Sequence, residues 1–264
     1  DEEIEVFFAS LDLTINDTNK IIPKAGQVRP EDRLVQCFND YIKLLQVEFP
    51  PAQELSNNAR QCFNHAYNIT QDIIIRDPDK SLICWLDAEF QLFKVIENDR
   101  YSDRIRTPFS SVGELVEIAN TILNRRKSRA GKSLENHLAE IFHQFNLVFE
   151  TQVVTEDNKK PDFLFPGQEA YLNPKFDDDK LNVLASKTTC KDRWRQVLNE
   201  ADRIKTKHLF TLQQGISSNQ LEEMLKYHVQ LVVPSLNIAS FPKTYHSKIM
   251  TLGTFVNYLR GIQN

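Results

Sequence analysis

Lys159-Lys-Pro-Asp-Phe-Leu-Phe165 and Leu184-Ala-Ser-Lys-Thr-Thr-Cys-Lys-Asp-Arg-Trp194, taken with Glu200, decide how this chain folds. The apolar run Phe163-Leu164-Phe165 begins directly after Pro161 and Asp162, which reads as a short strand with a carboxylate at its start. Asn182 to Ala185 reads as a second strand, with Lys187 at its end. Thr188 and Thr189 interrupt the apolar pattern, which returns at Trp194, Val197, Leu198 and Ala201. Spacings of three and four predict a helix over 193–204, with Glu200 on it. Two carboxylates and one lysine would then meet at the ends of adjacent strands and the following helix. Carboxylates suit a hard divalent cation such as Mg²⁺. An ammonium group beside them suits developing charge on a phosphate and can orient a water. That combination equips a site for metal-assisted phosphodiester hydrolysis.

Outward from this stretch, 147–154 alternates as a strand, 207–212 and 229–234 supply two more, and 219–227 and 252–262 read as helices. Strands separated by helices predict an α/β fold with a mixed central sheet of about five strands, covered on both faces. The N-terminal part reads as largely helical. Pro30 opens a helix that Pro50-Pro51 closes, 52–76 continues the pattern, and Asp77-Pro78-Asp79 opens a helix to about Ile96. Residues 4–8 fit a strand or an early helix. The expected division is a helical region over 1–76 and a core over 77–264. Ser110-Ser111 followed by Glu114 reads as an N-cap with an acidic first turn. Its helix runs into Asn124-Arg-Arg-Lys-Ser-Arg-Ala-Gly-Lys132, the most basic stretch, which on its own reads as a solvated face; a further helix starts near Leu134 and Glu135.

Composition excludes several classes. Hydrophobic residues at 41% and charged residues at 26% of 264 suit a soluble globular chain. Seven glycines leave no phosphate-cradling glycine loop evident. Asp1-Glu2-Glu3 is unlike a signal peptide, and no apolar run is long enough to span a bilayer, so a cytoplasmic protein is expected. The cysteines, Cys37, Cys62, Cys84 and Cys190, form no CxxC pair; a zinc site is not expected, and all four read as reduced thiols. A net charge of −4 argues against an indiscriminate basic nucleic-acid binder while leaving room for a local basic cleft. Asp177-Asp178-Asp179 reads as a solvated turn, and Trp194 as core.

Asn124 to Glu135, Asn158 to Pro166, Lys187 to Gln196, Leu198-Asn-Glu-Ala-Asp202 and His208 to Gln213 closely resemble the catalytic domain of EcoRII-type type II restriction endonucleases, of the PD-(D/E)XK nuclease superfamily. The resemblance runs from about Asp77 to near the C-terminus and is weaker before it. It implies a restriction-endonuclease-like sheet and Mg²⁺-dependent double-strand cleavage of a CCWGG-like DNA site, leaving 5′ overhangs, by a homodimer. Asp162 would be the main metal ligand, Glu200 the second acid and ligand, and Lys187 the residue that positions the water. Glu135 would complete the group, although its spacing alone reads as an ordinary helix N-terminal carboxylate. Lys191, Asp192 and Arg193 fall where relatives read outer base pairs; Lys or Arg suits guanine O6 and N7, and a carboxylate suits cytosine N4. Arg125, Arg126, Lys127, Arg129 and Lys132 would contact phosphates. The type member's extra N-terminal effector domain has no room here, so no autoinhibition by such a domain is expected.

One feature departs from the family. Relatives flip the central nucleotides and hold the flipped base with an arginine and an aromatic four positions on. The aromatic falls on Phe90, the arginine position on Leu86, with Trp85 beside it, so Phe90 and Trp85 are the expected stacking surface. The same three residues also fit a buried helix stripe. The alternatives to restriction are a nuclease of the same superfamily acting in DNA repair and a non-catalytic DNA-binding module.

Overall fold

The computed structural model describes residues 28–263. The segment 4–8 lies outside them. By compactness the described chain divides into one unit of residues 71–82 with 138–263 and another of residues 28–70 with 83–137. This differs from a single cut near residue 76, because two long helices each contribute to both units. No helix among the described residues is long and apolar enough to cross a membrane.

The second unit is helical. It contains α1 (Pro30–Leu44), α2 (Ala52–Tyr67) and most of α4 (Pro78–Arg106) and α5 (Val112–Gln144), while the short α3 (Gln71–Arg76) belongs to the other unit. Asn68 in the left-handed conformation, φ +54°, ends α2 and splits the expected 52–76 helix. Leu34, Phe38, Leu55, Ala59, Cys62 and Ala66 pack with Ala88, Leu92, Phe93 and Ile96 of α4. α4 runs ten residues past Ile96. Its polar continuation hides the stripe, but Arg100 there donates to the Val47 and Glu48 carbonyls, and the helix stops before Pro108. The expected break in the basic stretch is absent: α5 is one helix, so Glu135 lies within it rather than at a helix start. At its start Ser111 Oγ accepts from Glu114 N–H while Glu114 accepts from Ser110, a reciprocal cap.

Cys37 and Cys62 form a disulfide across α1 and α2, with Cα atoms 5.7 Å apart, so the reading of four reduced thiols fails for this pair. Their 25-residue separation conceals that two packed helices place them face to face. Cys84 and Cys190 are outside any disulfide.

The first unit carries the sheet. Its strands are β1 (Glu150–Thr151), β2 (Phe163–Phe165), β3 (Asn182–Lys187), β4 (Lys207–Thr211), β5 (Val229–Val233) and β6 (Met250–Thr251), lying in that order. β1, β2 and β3 pair antiparallel, and β3 to β6 pair parallel, which is the mixed sheet expected. β6 was not anticipated, being two residues long. β1 keeps only two residues of the expected 147–154 strand, because Asn146 and Gln152 take positive φ, +56° and +55°, and turn the chain on either side.

Alternation sorts the strands' side chains onto two buried faces. Phe163 and Phe165 meet Phe142 of α5, and Phe165 also meets Phe255 of α8 (Leu252–Gln263), at centroid distances of 5.1–6.1 Å. Ala185, Leu209, Leu231 and Val233 meet Trp194, Val197 and the apolar side of α7 (Ser218–Lys226), while the short α6 (Gln168–Leu172) connects β2 to β3. α8 is held at its start by Asp79, whose buried carboxylate accepts from Ser235, Leu252 and Gly253 N–H. The predicted 193–204 helix is instead a 3-10 run, Lys191–Asn199, followed by extended Glu200 and by Ala201 at φ +49°. Three residues per turn still stacks Trp194 on Val197, so the spacing misled only about the helix type.

Candidate active site

The antiparallel pairing of β2 with β3 builds the site. Because the strands run in opposite directions, the start of β2 lies beside the end of β3. Asp162, one residue before β2, therefore meets Ser186 and Lys187, the last two residues of β3. Its Oδ2 accepts from Ser186 N–H at 2.8 Å, Ser186 Oγ at 3.3 Å and Lys187 Nζ at 2.9 Å. Oδ1 accepts from the Gln152 side-chain amide at 3.1 Å. Asp162 is 9% exposed and this set of donors fixes its carboxylate plane.

Glu200 joins them from the chain after the 3-10 run. Burial pushes its carboxyl up to about 7, the Asp162 charge adds to the rise, and Lys187 and Lys207 oppose it. Glu200 Oε2 is buried and has no hydrogen-bond partner among the described residues. The segment carrying Glu200 is tied down by neighbours. The Lys207 ammonium, on a 5% exposed residue, donates to the Ala201 carbonyl. Arg203 donates to the carbonyls of Ala170, Tyr171, Asn173 and Phe176. Glu156 accepts from Asp202 N–H.

The sequence thus identified three groups that the structure brings together, Asp162, Lys187 and Glu200. It missed Gln152, Ser186, Lys207 and Arg203. Ser186 was hinted at by its place before the lysine; the other three carry no motif. Among the described residues no cluster of three or more His, Cys, Asp or Glu side chains is arranged to hold a metal. Two carboxylates, one with an unpartnered buried oxygen, nonetheless fit a Mg²⁺ ion, which keeps several waters and uses one or two carboxylates plus substrate phosphate.

Lys191, Asp192 and Arg193 open the 3-10 run. The turn before it is anchored to the end of β4: Thr211 Oγ1 donates to the Thr188 carbonyl, and Gln213 Oε1 accepts from Cys190 N–H. Arg193 is exposed and donates to Thr189 Oγ1 at 3.3 Å. Trp194 is fully buried, as expected. The Asp177–Asp179 turn is exposed, with Asp178 accepting from Arg203.

In the helical unit Glu135 accepts from Lys132 at 2.8 Å. Two expectations there need correction. Arg129 is not a surface cation: it is buried and its guanidinium donates to Glu89. Trp85 is fully buried, its indole N–H bonded to Asn64, so it offers no face to a base; Leu86 is equally buried. Arg126 is paired with Glu97 at 2.6 Å, and Arg125 donates to Tyr101. Lys127 and Lys132 are exposed, and Phe90 is half-buried with the Lys94 ammonium 4.8 Å from its ring centroid.

The EcoRII C-terminal family model matches residues 93–256. The chain belongs to this family. Its similarity to the type II restriction enzyme EcoRII of Escherichia coli is 50% identity over 187 residues, 70% of this chain and 46% of that protein. The chain therefore spans about half that relative's length. The type II restriction enzyme SsoII of Shigella sonnei is 22% identical over 213 residues, covering 68% and 67% of the two chains. Among solved structures, metal-depleted Ecl18kI in complex with uncleaved, modified DNA aligns with a TM-score of 0.68 at 17% identity, over 89% of this chain and 85% of that one. The restriction endonuclease PspGI–substrate DNA complex gives 0.66 at 16% identity, over 81% and 93%. These EcoRII-family and restriction-endonuclease likenesses agree with the mixed sheet and its helical N-terminal region.

Proposed function

We propose that this chain is a type II restriction endonuclease that makes Mg²⁺-dependent double-strand cuts in DNA. The observation that carries the reading is the convergence of Asp162, Lys187 and Glu200 at the β2–β3 strand ends in a chain of the EcoRII C-terminal family. Asp162 and Glu200 would hold the cation, which when bound neutralises phosphate charge and acidifies a water. Lys187, steadied by Asp162, supplies a fixed positive charge for a phosphate oxygen and a donor that orients the attacking water. Ser186 and Gln152 keep the Asp162 carboxylate in one orientation. The resemblance adds Glu135 to the acidic group.

The proposed substrate is a CCWGG-like duplex site, cut to leave 5′ overhangs by a homodimer in a prokaryotic cytoplasm. Lys191, Asp192 and Arg193 are the proposed base readers, and Lys127 and Lys132 the phosphate contacts. Phe90 remains the proposed stacking surface for a flipped central base, now without Trp85. A 2-aminopurine at the central position should brighten on binding, and a probe that stays quenched removes the flipping proposal.

Digestion of plasmid DNA with Mg²⁺, followed by sequencing of the ends, tests the whole reading. Discrete fragments ending at one short motif are expected. Cleavage governed by DNA structure would favour repair, and retention of DNA without cleavage would favour a binding module.

A further inference from the structure

The left-handed backbone at Gln152 has a use beyond ending β1. Gln152 is exposed, has φ +55°, and its N–H is bonded to the Pro161 carbonyl at 3.2 Å. A non-glycine residue at positive φ is uncommon and costs on the order of 1 kcal/mol or more, so it persists where surrounding contacts fix it. Here the bond to Pro161 ties the turn to the residue before Asp162. That turn aims the side-chain amide back at the site, where Nε2 donates to Asp162 Oδ1 at 3.1 Å.

The two oxygens of Asp162 are held by different parts of the chain. Oδ2 takes all its donors from β3, through Ser186 and Lys187. Oδ1 takes its donor from Gln152, just past the end of β1. A carboxylate held on one oxygen alone can still swing about its terminal torsion, which has a broad energy well. A donor on the second oxygen stops that swing. We infer that Gln152 is a positioning residue for Asp162: it locks the carboxylate plane so that the remaining lone pair of Oδ1 stays available to a cation. The bond to Nε2 uses one acceptor site of Oδ1 and leaves another. Because the side chain is exposed and outside the apolar core, its loss should not affect folding.

This inference rests on the reading of Asp162 as a cation ligand, and the test separates the two. Gln152→Met keeps length but loses the donor. Gln152→Gly also loses the donor while suiting the positive φ. Asp162→Asn is made alongside. Each protein is assayed for Mn²⁺ binding by titration calorimetry, single-turnover cleavage, DNA affinity and melting temperature. Both Gln152 variants are expected to bind Mn²⁺ about tenfold more weakly and cleave about tenfold or more slowly, the loss that follows removal of a hydrogen bond to a charged group. DNA affinity should match the wild type and neither variant should melt below it, with Gln152→Gly melting at or above the wild type because glycine sheds the cost of the positive φ. If Asp162→Asn cleaves normally, the site reading itself fails. If Asp162→Asn is inactive while either Gln152 variant binds Mn²⁺ and cleaves within twofold of wild type, Gln152 is not a positioning residue. A fall in DNA affinity or melting temperature that accounts for the lost rate overturns the inference as well.

Discussion

Lys187 and Asp162 are joined by a 2.9 Å ion pair on adjacent strand ends, and neither is needed for the apolar core. Lys187→Ala should therefore lower the cleavage rate by roughly 10²-fold or more while DNA binding persists, as for loss of a preorganised charge in a site. Gel shift and single-turnover cleavage on one substrate check both halves of that statement. Glu200 brings a pH dependence. Its carboxyl is raised to about 7 by burial and by Asp162, against an ordinary value of 4.5. The folded state thus takes up a proton more readily than the unfolded chain, so Glu200 destabilises the metal-free fold increasingly as pH rises from about 4.5 through about 7. Metal-free Glu200→Gln should melt above the wild type at pH 8 and lose that advantage near pH 5. Cation binding has the opposite slope, because it needs the carboxylate, so wild-type affinity should climb with pH through about 7 and then level. A wild-type affinity that stays flat across that interval removes Glu200 from the cation site. At this scale the sequence was informative for charged residues flanking apolar runs, which is why Asp162 and Lys187 could be read. Gln152 and Lys207 act through a left-handed turn and a buried ammonium, and neither leaves a periodic or compositional trace.

The elements tell a similar story with different reasons. β2, β3, β4 and β5 were legible because each is an apolar run bounded by polar residues, buried on both faces. β1 is shorter than the expected 147–154 strand because that alternation runs through Gln152, whose positive φ only the folded chain reveals. The sequence divides α5 because its basic stretch carries no apolar stripe and reads as a solvated face between two apolar patterns. In the structure α4's acids complete it: Glu97 takes Arg126, and Glu89 takes Arg129 while also accepting from Ser56 and facing His137 Nε2 at 2.9 Å. Despite its burial, these donors and charges hold the Glu89 carboxyl at about 2. Arg129→Met would leave that carboxylate buried with part of its compensation gone, which costs about 3–5 kcal/mol for such pairs. Urea unfolding should show that loss, whereas Lys127→Ala should leave stability within about 0.5 kcal/mol. On DNA the order reverses: Lys127→Ala should reduce the salt slope of binding by about one. An Arg129→Met protein of unchanged stability would mean the buried network is not holding α4 to α5.

At the scale of the whole molecule, a chain of net charge −4 is proposed to act on a polyanion. Overall attraction cannot supply the affinity, so specific contacts and matching symmetry must. Each chain would supply one proposed Asp162–Lys187–Glu200 site, whereas a restriction cut breaks two strands of opposite direction. A pseudo-palindromic target presents those strands related by a two-fold axis, and a two-fold protein dimer matches it with one site per strand. A single site would otherwise have to dissociate and rebind in reverse between cuts. The two arrangements differ when active and inactive chains are mixed. With excess Lys187→Ala chain, most wild-type chains would sit in mixed dimers holding one working site. Such dimers should convert supercoiled plasmid to nicked circles during a single binding event, with little linear product. Wild-type dimers should yield linear DNA directly. If the mixture instead gives linear DNA diluted only in proportion to the wild-type fraction, each chain cuts both strands by itself and the dimer proposal fails. Sedimentation of the DNA complex gives an independent reading, since two chains of 30.7 kDa per duplex are expected.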